Sequence, residues 1–414
     1  MSLDSTKNIL IIYGSLNSVP SPEGAAPAKV IYETVVTSPT TNFKVLSNYN
    51  KNLNKTVYDK KLFNHVKSIS IDKFLLLILK IRYPYKKRRE KFITGNNDQL
   101  LYYIAVCRWL LFKNHDKIIV HVGVGLVQML KMVFPKKEII YYHHGTSLHS
   151  KLSESQWKLL INNVIAVFGV NKIAIVKANE TFYTKLDESK YFKIDNAIIQ
   201  SVEVKSNLIN DFLSDSNMKT FKFAFTGRIC IEKGILNLLK SYLKVSQSNR
   251  DSCLYIIGGA GAKGVYDKIT PYVQECMDFV KKYNLNVIFT GFLNKELLMN
   301  YLSKMDVVIC PTDKQLSEEG MPLTIIEALS FGKPVIATDS GGISEVIVQN
   351  NNGVLIKSYP YVDEMALEMI KLSTDKNLYE KLSIGAYKSF LEKHTYKAYH
   401  KSFKIALTKS GFIN

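Results

Sequence analysis

Two carboxylates, Glu319 and Glu327, stand eight positions apart in EEGMPLTIIEALSFGKPVIAT, residues 318–338. Pro322 suits a first helical position, where its missing N–H costs nothing and its φ is already helical. Leu323, Ile325, Ile326 and Leu329 give that helix an apolar side, and Gly332 with Pro334 ends it. Residues 335–337 then read as a buried strand. Glu319 therefore falls on the loop before the helix, and Glu327 more than a turn inside it. Between them the helix N-terminus offers free amides to an anion. A sugar diphosphate has the matching chemistry, with hydroxyls for the carboxylates and phosphates for the amides. Acidic residues beside a helix start also answer to the macrodipole, an ordinary reason for Glu318 and Glu319. Glu327 is different, because its neighbours are apolar and a buried carboxylate must be satisfied.

A second group lies in FAFTGRICIEKGI, residues 223–235, a strand that ends in a turn and then a helix. Arg228 and Lys233 stand there beside Gly227 and Gly234. Arg offers forked donors and Lys a point charge, so the turn suits a diphosphate. A lysine decorating a helix start is the plainer account, though a cation there opposes the helix dipole. In IIYYHHGTS, residues 139–147, a strand delivers His143 and His144 to its end. Alternation sends the two to opposite faces, and His144, beside Gly145, is the better placed for a ligand. A structural role is the commoner fate of such a histidine, and more so for His121. No histidine pairs with Cys or a carboxylate at metal-ligand spacing, so no zinc site is expected. GGAGAKG at 258–264 does not complete a dinucleotide fingerprint, and neither a phosphate loop nor a nucleophile elbow is present.

The elements that must position these residues alternate, short apolar strands with amphipathic helices, as in parallel α/β proteins. In the first half, strands are expected at 8–13, 117–122, 138–143 and 163–167, with a helix at 29–36. Residues 50–92 show no clear pattern beyond helical character. The second half restarts, with strands at 222–226, 253–257, 286–290 and 307–311 and helices at 234–246, 362–371 and 376–393. A chain of 414 residues calls for two domains. The reading is two doubly wound units joined near 201–220, with ligands at the carboxyl ends of the strands.

Five scattered cysteines without a CxxC pair favour a reducing, cytoplasmic setting over a disulfide framework. The first residues lack a signal peptide's pattern, and no apolar run of about 18 residues marks a membrane span. The net charge of +19 is uneven. Residues 1–200 hold 29 Lys and Arg against 14 Asp and Glu, a net +15. The densest part is IRYPYKKRREKF at 81–92, directly after an apolar run. Such a half attracts an anionic partner: a membrane surface, a phosphorylated substrate or nucleic acid. Tyr83, Tyr85, Lys86 and Arg88 suit the last of these, but no nucleic-acid motif accompanies them.

Together these motifs resemble the GT-B glycosyltransferases of the large retaining family 4, the glycosyl transferases group 1. Glu319 and Glu327 match the family's paired glutamates, and TGRICIEKG matches its diphosphate-binding signature. The likeness is specific over 220–356 and diffuse in the first 200 residues. It implies two Rossmann-like domains facing across a cleft. The N-terminal, acceptor-binding domain would span 1–205, with a helix near 394–414 crossing back to it, and the nucleotide-sugar domain 206–393. Glu327 would hold the ribose, and Glu319 the transferred sugar. Arg228 and Lys233 would hold the diphosphate beside Gly227. Gly320, Met321 and Leu323 would supply amides near the sugar and phosphates. Phe292 and Leu293 would lie near the base, Gly24 beneath the diphosphate, and His144 at the sugar. The implied activity is retaining transfer of a hexose or N-acetylhexosamine from a nucleotide sugar, chiefly a UDP-sugar. No metal or other cofactor is called for. The acceptor would be a hydroxyl of a glycan, glycolipid or cell-surface polymer, anionic or lipid-linked, reached from the inner face of the membrane. Two other classes stay open: a catalytically silent GT-B partner subunit, and a non-specific nucleic-acid-binding protein.

Overall fold

A computed structural model describes residues 9–21, 25–38, 43–55, 58–82, 95–199, 220–248, 251–260 and 269–413. The chain divides into two compact units, Met1–Asp195 with Tyr399–Asn414, and Asn196–Ala398.

The first unit is built on seven strands: β1 Ile9–Tyr13, β2 Phe43–Asn48, β3 Phe63–Val66, β4 Lys117–His121, β5 Glu138–His143, β6 Ala166–Gly169 and β7 Tyr191–Lys193. All pair in parallel, in the order β3-β2-β1-β4-β5-β6-β7. Helices cover both faces of such a sheet, so a central strand is apolar throughout, and every residue of ILIIY in β1 is buried. Ala26–Val36 follows β1 as the first crossover helix. At the other end of the chain, Tyr396–Lys409 brings Phe403 against Phe43 and Phe168, and His400 bonds Thr37 at 2.9 Å.

The second unit holds β8 Phe221–Thr226, β9 Ser252–Ile257, β10 Val287–Gly291, β11 Val307–Cys310, β12 Val335–Thr338 and β13 Gly353–Ile356. Their order is β10-β9-β8-β11-β12-β13, again parallel. Each sheet reverses direction beside its first strand, between β1 and β4 and between β8 and β11. A doubly wound sheet opens a crevice at that switch point, outside the carboxyl ends of the strands.

Several expectations shift. The helix at the paired glutamates is Leu323–Ser330, and Pro322 is its N-cap, with φ −63° and ψ 124°, instead of its first residue. Proline's fixed φ suits both positions, and ψ alone separates them. Asn163 ends a helix, Glu154–Asn163, whose start carries a capping box between Ser153 and Gln156; the strand begins only at Ala166. Residues 50–92 contain β3 and the helix Ser70–Arg82. The last stretch of 376–393 is not α-helical: Lys376–Ser389 gives way to a π turn over Phe390–His394. The expected linker at 201–220 and most of the glycine run at 258–264 lie outside the described residues.

Candidate functional site

The paired signatures of the second unit meet at its switch point. β8 delivers Gly227 and Arg228, and a short 3-10 turn, Ile231–Lys233, carries Lys233. β11 delivers Pro311, Thr312 and Asp313. Gly234 locks these two ends together. Its φ is +69°, and a Cβ there would lie 2.1 Å from the Pro311 carbonyl oxygen, so no other residue fits without movement. Tyr361 closes the contact by donating to the same oxygen at 2.8 Å.

Lys233 and Glu319, 86 residues apart, form an ion pair through Nζ and Oε1. Thr312 donates its hydroxyl to the same Oε1 at 2.8 Å. Gly342 N–H donates to the Glu319 carbonyl at 2.7 Å, so the backbone of Glu319 is fixed as well as its side chain. Burial disfavours the charge on Lys233, yet its attraction to Glu319 outweighs this and raises its pKa above the ordinary value. Arg228 lies farther out, exposed, with Glu232 at 3.7 Å.

Glu327 is buried in the helix Leu323–Ser330 between fully buried Ile326 and Ala328. The first turn of that helix receives no capping side chain and holds no acidic residue. Its far end closes with Gly332 at φ +63°, whose N–H reaches Leu329 O while Lys333 N–H reaches Ala328 O. Met321 is buried, and Asn196 anchors it by donating Nδ2–H to its carbonyl oxygen at 3.1 Å. His394 in turn contacts the Asn196 carbonyl at 2.9 Å. Gly320 and Leu323 are part-buried on either side.

At the sheet's other side, β8, β9 and β10 end on Gly227, Gly258 and Gly291. Gly258 has φ +144°, and a Cβ on it would stand 1.9 Å from the Gly227 carbonyl oxygen. Gly258 thus lets the ends of β8 and β9 approach closely and also bridges to Gly291, after which Phe292, exposed, and Leu293, part-buried, follow directly.

In the first unit, His121 Nδ1 and His144 Nε2 lie 2.8 Å apart, and His144 stacks on Tyr142 at 4.7 Å. His143 points the other way, toward Tyr141, as alternation requires. Burial pushes His143 down to about 3, with the neighbouring His144 adding to it. Burial likewise lowers His121 and His144, so this cluster is neutral at ordinary pH. Gly24 falls outside the described residues.

The structure thus gathers Arg228, Lys233, Gly227, Glu319, Gly320, Met321, Leu323 and Glu327 in one unit and places His144 in the other. Sequence reasoning missed Thr312 and Asn196. Thr312 sits at a strand end in ICPT, a readable signal, whereas nothing local marks Asn196. Nor did it pair His121 with His144, which neighbouring parallel strands bring together.

This geometry can be set beside known proteins. Residues 209–389 match the family described as glycosyl transferases group 1. A putative glycosyltransferase of Bacillus subtilis, YtcC, is 28% identical over 190 residues, 44% of this chain and 45% of that protein. The lipopolysaccharide 1,2-N-acetylglucosaminetransferase of Salmonella typhimurium is 26% identical over 156 residues, 38% of this chain and 40% of that protein. The matched stretch therefore spans less than half of these relatives. Among solved structures, sucrose-phosphate synthase of Thermosynechococcus elongatus superposes with a TM-score of 0.72 at 12% identity, over 98% of this chain and 99% of that one. Anabaena HepE in complex with UDP gives 0.70 at 14% identity, over 97% and 99%. The fold is GT-B, two Rossmann-like α/β units.

Proposed function

We propose that this chain is a retaining glycosyltransferase that moves a hexose or N-acetylhexosamine from a UDP-sugar to an acceptor hydroxyl. The observation that carries the reading is the junction of Lys233, Thr312 and Glu319 at the β8/β11 switch point, within the stretch matching glycosyl transferases group 1. Support for the donor comes from fold relatives solved with UDP and UDP-glucose.

In this reading Arg228, Lys233 and the uncapped amides of Leu323 and Thr324 take the diphosphate. An ammonium has three donors, so Lys233 can serve a phosphate oxygen while keeping Glu319. Glu319 positions the transferred sugar, and Glu327 takes the ribose hydroxyls. Phe292 and Leu293 border the base. As the bond from the sugar's anomeric carbon to the phosphate oxygen breaks, negative charge grows on the diphosphate, where fixed cations and amides stabilise it most. The acceptor oxygen bonds to the same face of the carbon, its proton passes to the departing phosphate oxygen, and UDP leaves. Two side-chain cations and a helix N-terminus fill the role of a divalent ion, so activity should persist in a chelator.

The acceptor in our reading is an anionic or lipid-linked glycan. The +15 excess in residues 1–200 supports this, as does the relative named for lipopolysaccharide. Calorimetry with UDP and UDP-sugars, paired with an assay of UDP release, tests the reading. Arg228→Ala and Lys233→Ala should each slow release by about 100-fold or more, the scale of losing one preorganised charge. A chain that binds no nucleotide sugar and releases no UDP would instead be a silent partner subunit.

A further inference from the structure

The helix Ser70–Arg82 has one face settled within the first unit. Asp72, fully buried, receives Arg108 through Nε at 2.9 Å and Nη2 at 3.2 Å, and Ile69 N–H at 2.8 Å. Leu76 lies in the same core, and Leu79 packs against it. At about 100° per residue, Asp72, Leu76 and Leu79 occupy one side. The opposite side carries Ile71, Phe74, Leu77, Ile78 and Ile81, with Leu75 on the flank between the two sides, and all six are between 40 and 70% exposed. Singly exposed apolar residues are ordinary, but six on one helix of 13 residues form a patch that needs a partner.

Charge selects the partner. Lys73 lies exposed and Lys80 part-buried along one border of the apolar arc, and Lys67 is exposed just before the helix. Residues 67–92 carry nine Lys and Arg against two Asp and Glu. Two copies meeting through this face would bring like charges together, which opposes association. A bilayer with anionic lipid answers both features, since acyl chains accept the apolar arc and phosphates accept the lysines. At 13 residues the helix is about 20 Å long, too short to cross the hydrocarbon and suited to lying in its boundary. Among the described residues no helix is long and apolar enough to cross a membrane.

We propose that Ser70–Arg82 docks this protein on an anionic lipid surface, with the arc from Phe74 to Ile81 in the headgroup–acyl boundary and Lys73 and Lys80 at the phosphates. The proposal deepens the lipid-linked acceptor reading and rests on it only for its biological purpose. Its test is flotation with vesicles of phosphatidylcholine, alone or mixed equally with phosphatidylglycerol, with UDP calorimetry on each variant. The wild-type chain should float with the anionic vesicles and about tenfold less with the neutral ones. Phe74→Glu with Ile81→Glu should cut flotation at least tenfold at any salt, and the milder Ile81→Ser in part. Lys73→Glu with Lys80→Glu should weaken it chiefly at low salt. UDP binding should be unchanged in all of them. Wild-type protein that stays off anionic vesicles overturns the proposal. So does a Phe74→Glu, Ile81→Glu variant that floats as well as wild type, or a dimer that this variant splits. If the wild type floats but binds no nucleotide sugar, the transferase reading fails and the docking helix stands.

Discussion

Lys233 and Glu319 depend on each other, and that dependence shapes what their substitution does. Both are mostly shielded from solvent, so Lys233→Ala leaves Glu319 with Thr312 alone. Breaking such a partly buried pair should cost about 1–3 kcal/mol, read as a lower urea midpoint. Lys233→Arg should recover most of that stability. Thr312→Val, which removes the hydroxyl and keeps the shape, should cost about 1 kcal/mol, and Thr312→Ser much less. The two glutamates should separate in kinetics. Glu327→Ala should mainly weaken UDP-sugar binding in calorimetry, while Glu319→Ala should mainly slow UDP release at saturating donor. Equal and mild effects from both would remove them from the donor site.

At the scale of elements, the glycines at the strand ends divide into two kinds. Gly258→Ala forces a Cβ into the Gly227 carbonyl from a left-handed backbone, so strand ends must part. A loss of about 2–4 kcal/mol is expected in denaturation. Gly291 has φ +69° but nothing within 4 Å, so Gly291→Ala should cost only about 1 kcal/mol. The capped helices show a related limit of sequence reading. The box from Ser153 to Gln156 is written in the sequence and marks a helix that the apolar pattern of 163–167 had obscured. Pro322, by contrast, satisfies two neighbouring positions, and only the fold chooses between them.

For the whole molecule, the buried imidazoles give stability a pH dependence of definite sign. His121, His143 and His144 have folded pKa values well below the ordinary 6.5 because burial disfavours their charge. Below 6.5 the unfolded chain binds protons that the folded chain refuses, so stability falls as pH drops. The contribution is fully present above about pH 7 and shrinks toward pH 3 by at most about 1.4 kcal/mol per pH unit per histidine. Urea midpoints measured from pH 7 to pH 4 should decline accordingly. Histidine ring resonances in NMR should show these three neutral at pH 6; a titration near 6.5 would contradict the buried cluster.

The sequence by itself determined much of the framework. Unbroken apolar runs such as ILIIY and VVIC demand strands covered on both faces, and the glycines and prolines between them set where chains turn. The helix at 323–330 and the burial of Glu327 were also legible, because both follow from local period and punctuation. Other features were decided only by tertiary structure. The Lys233–Glu319 pair and the His121–His144 contact join residues that no local pattern connects. The same holds for the helix Ser70–Arg82, whose residues are apolar nearly all round. Its sequence states that something must cover it, and only the anchoring of Asp72 by Arg108 shows which face the protein itself leaves open. Periodicity reports what one segment prefers. Which segments meet is settled by strand order and by the burial of charge, both properties of the whole chain.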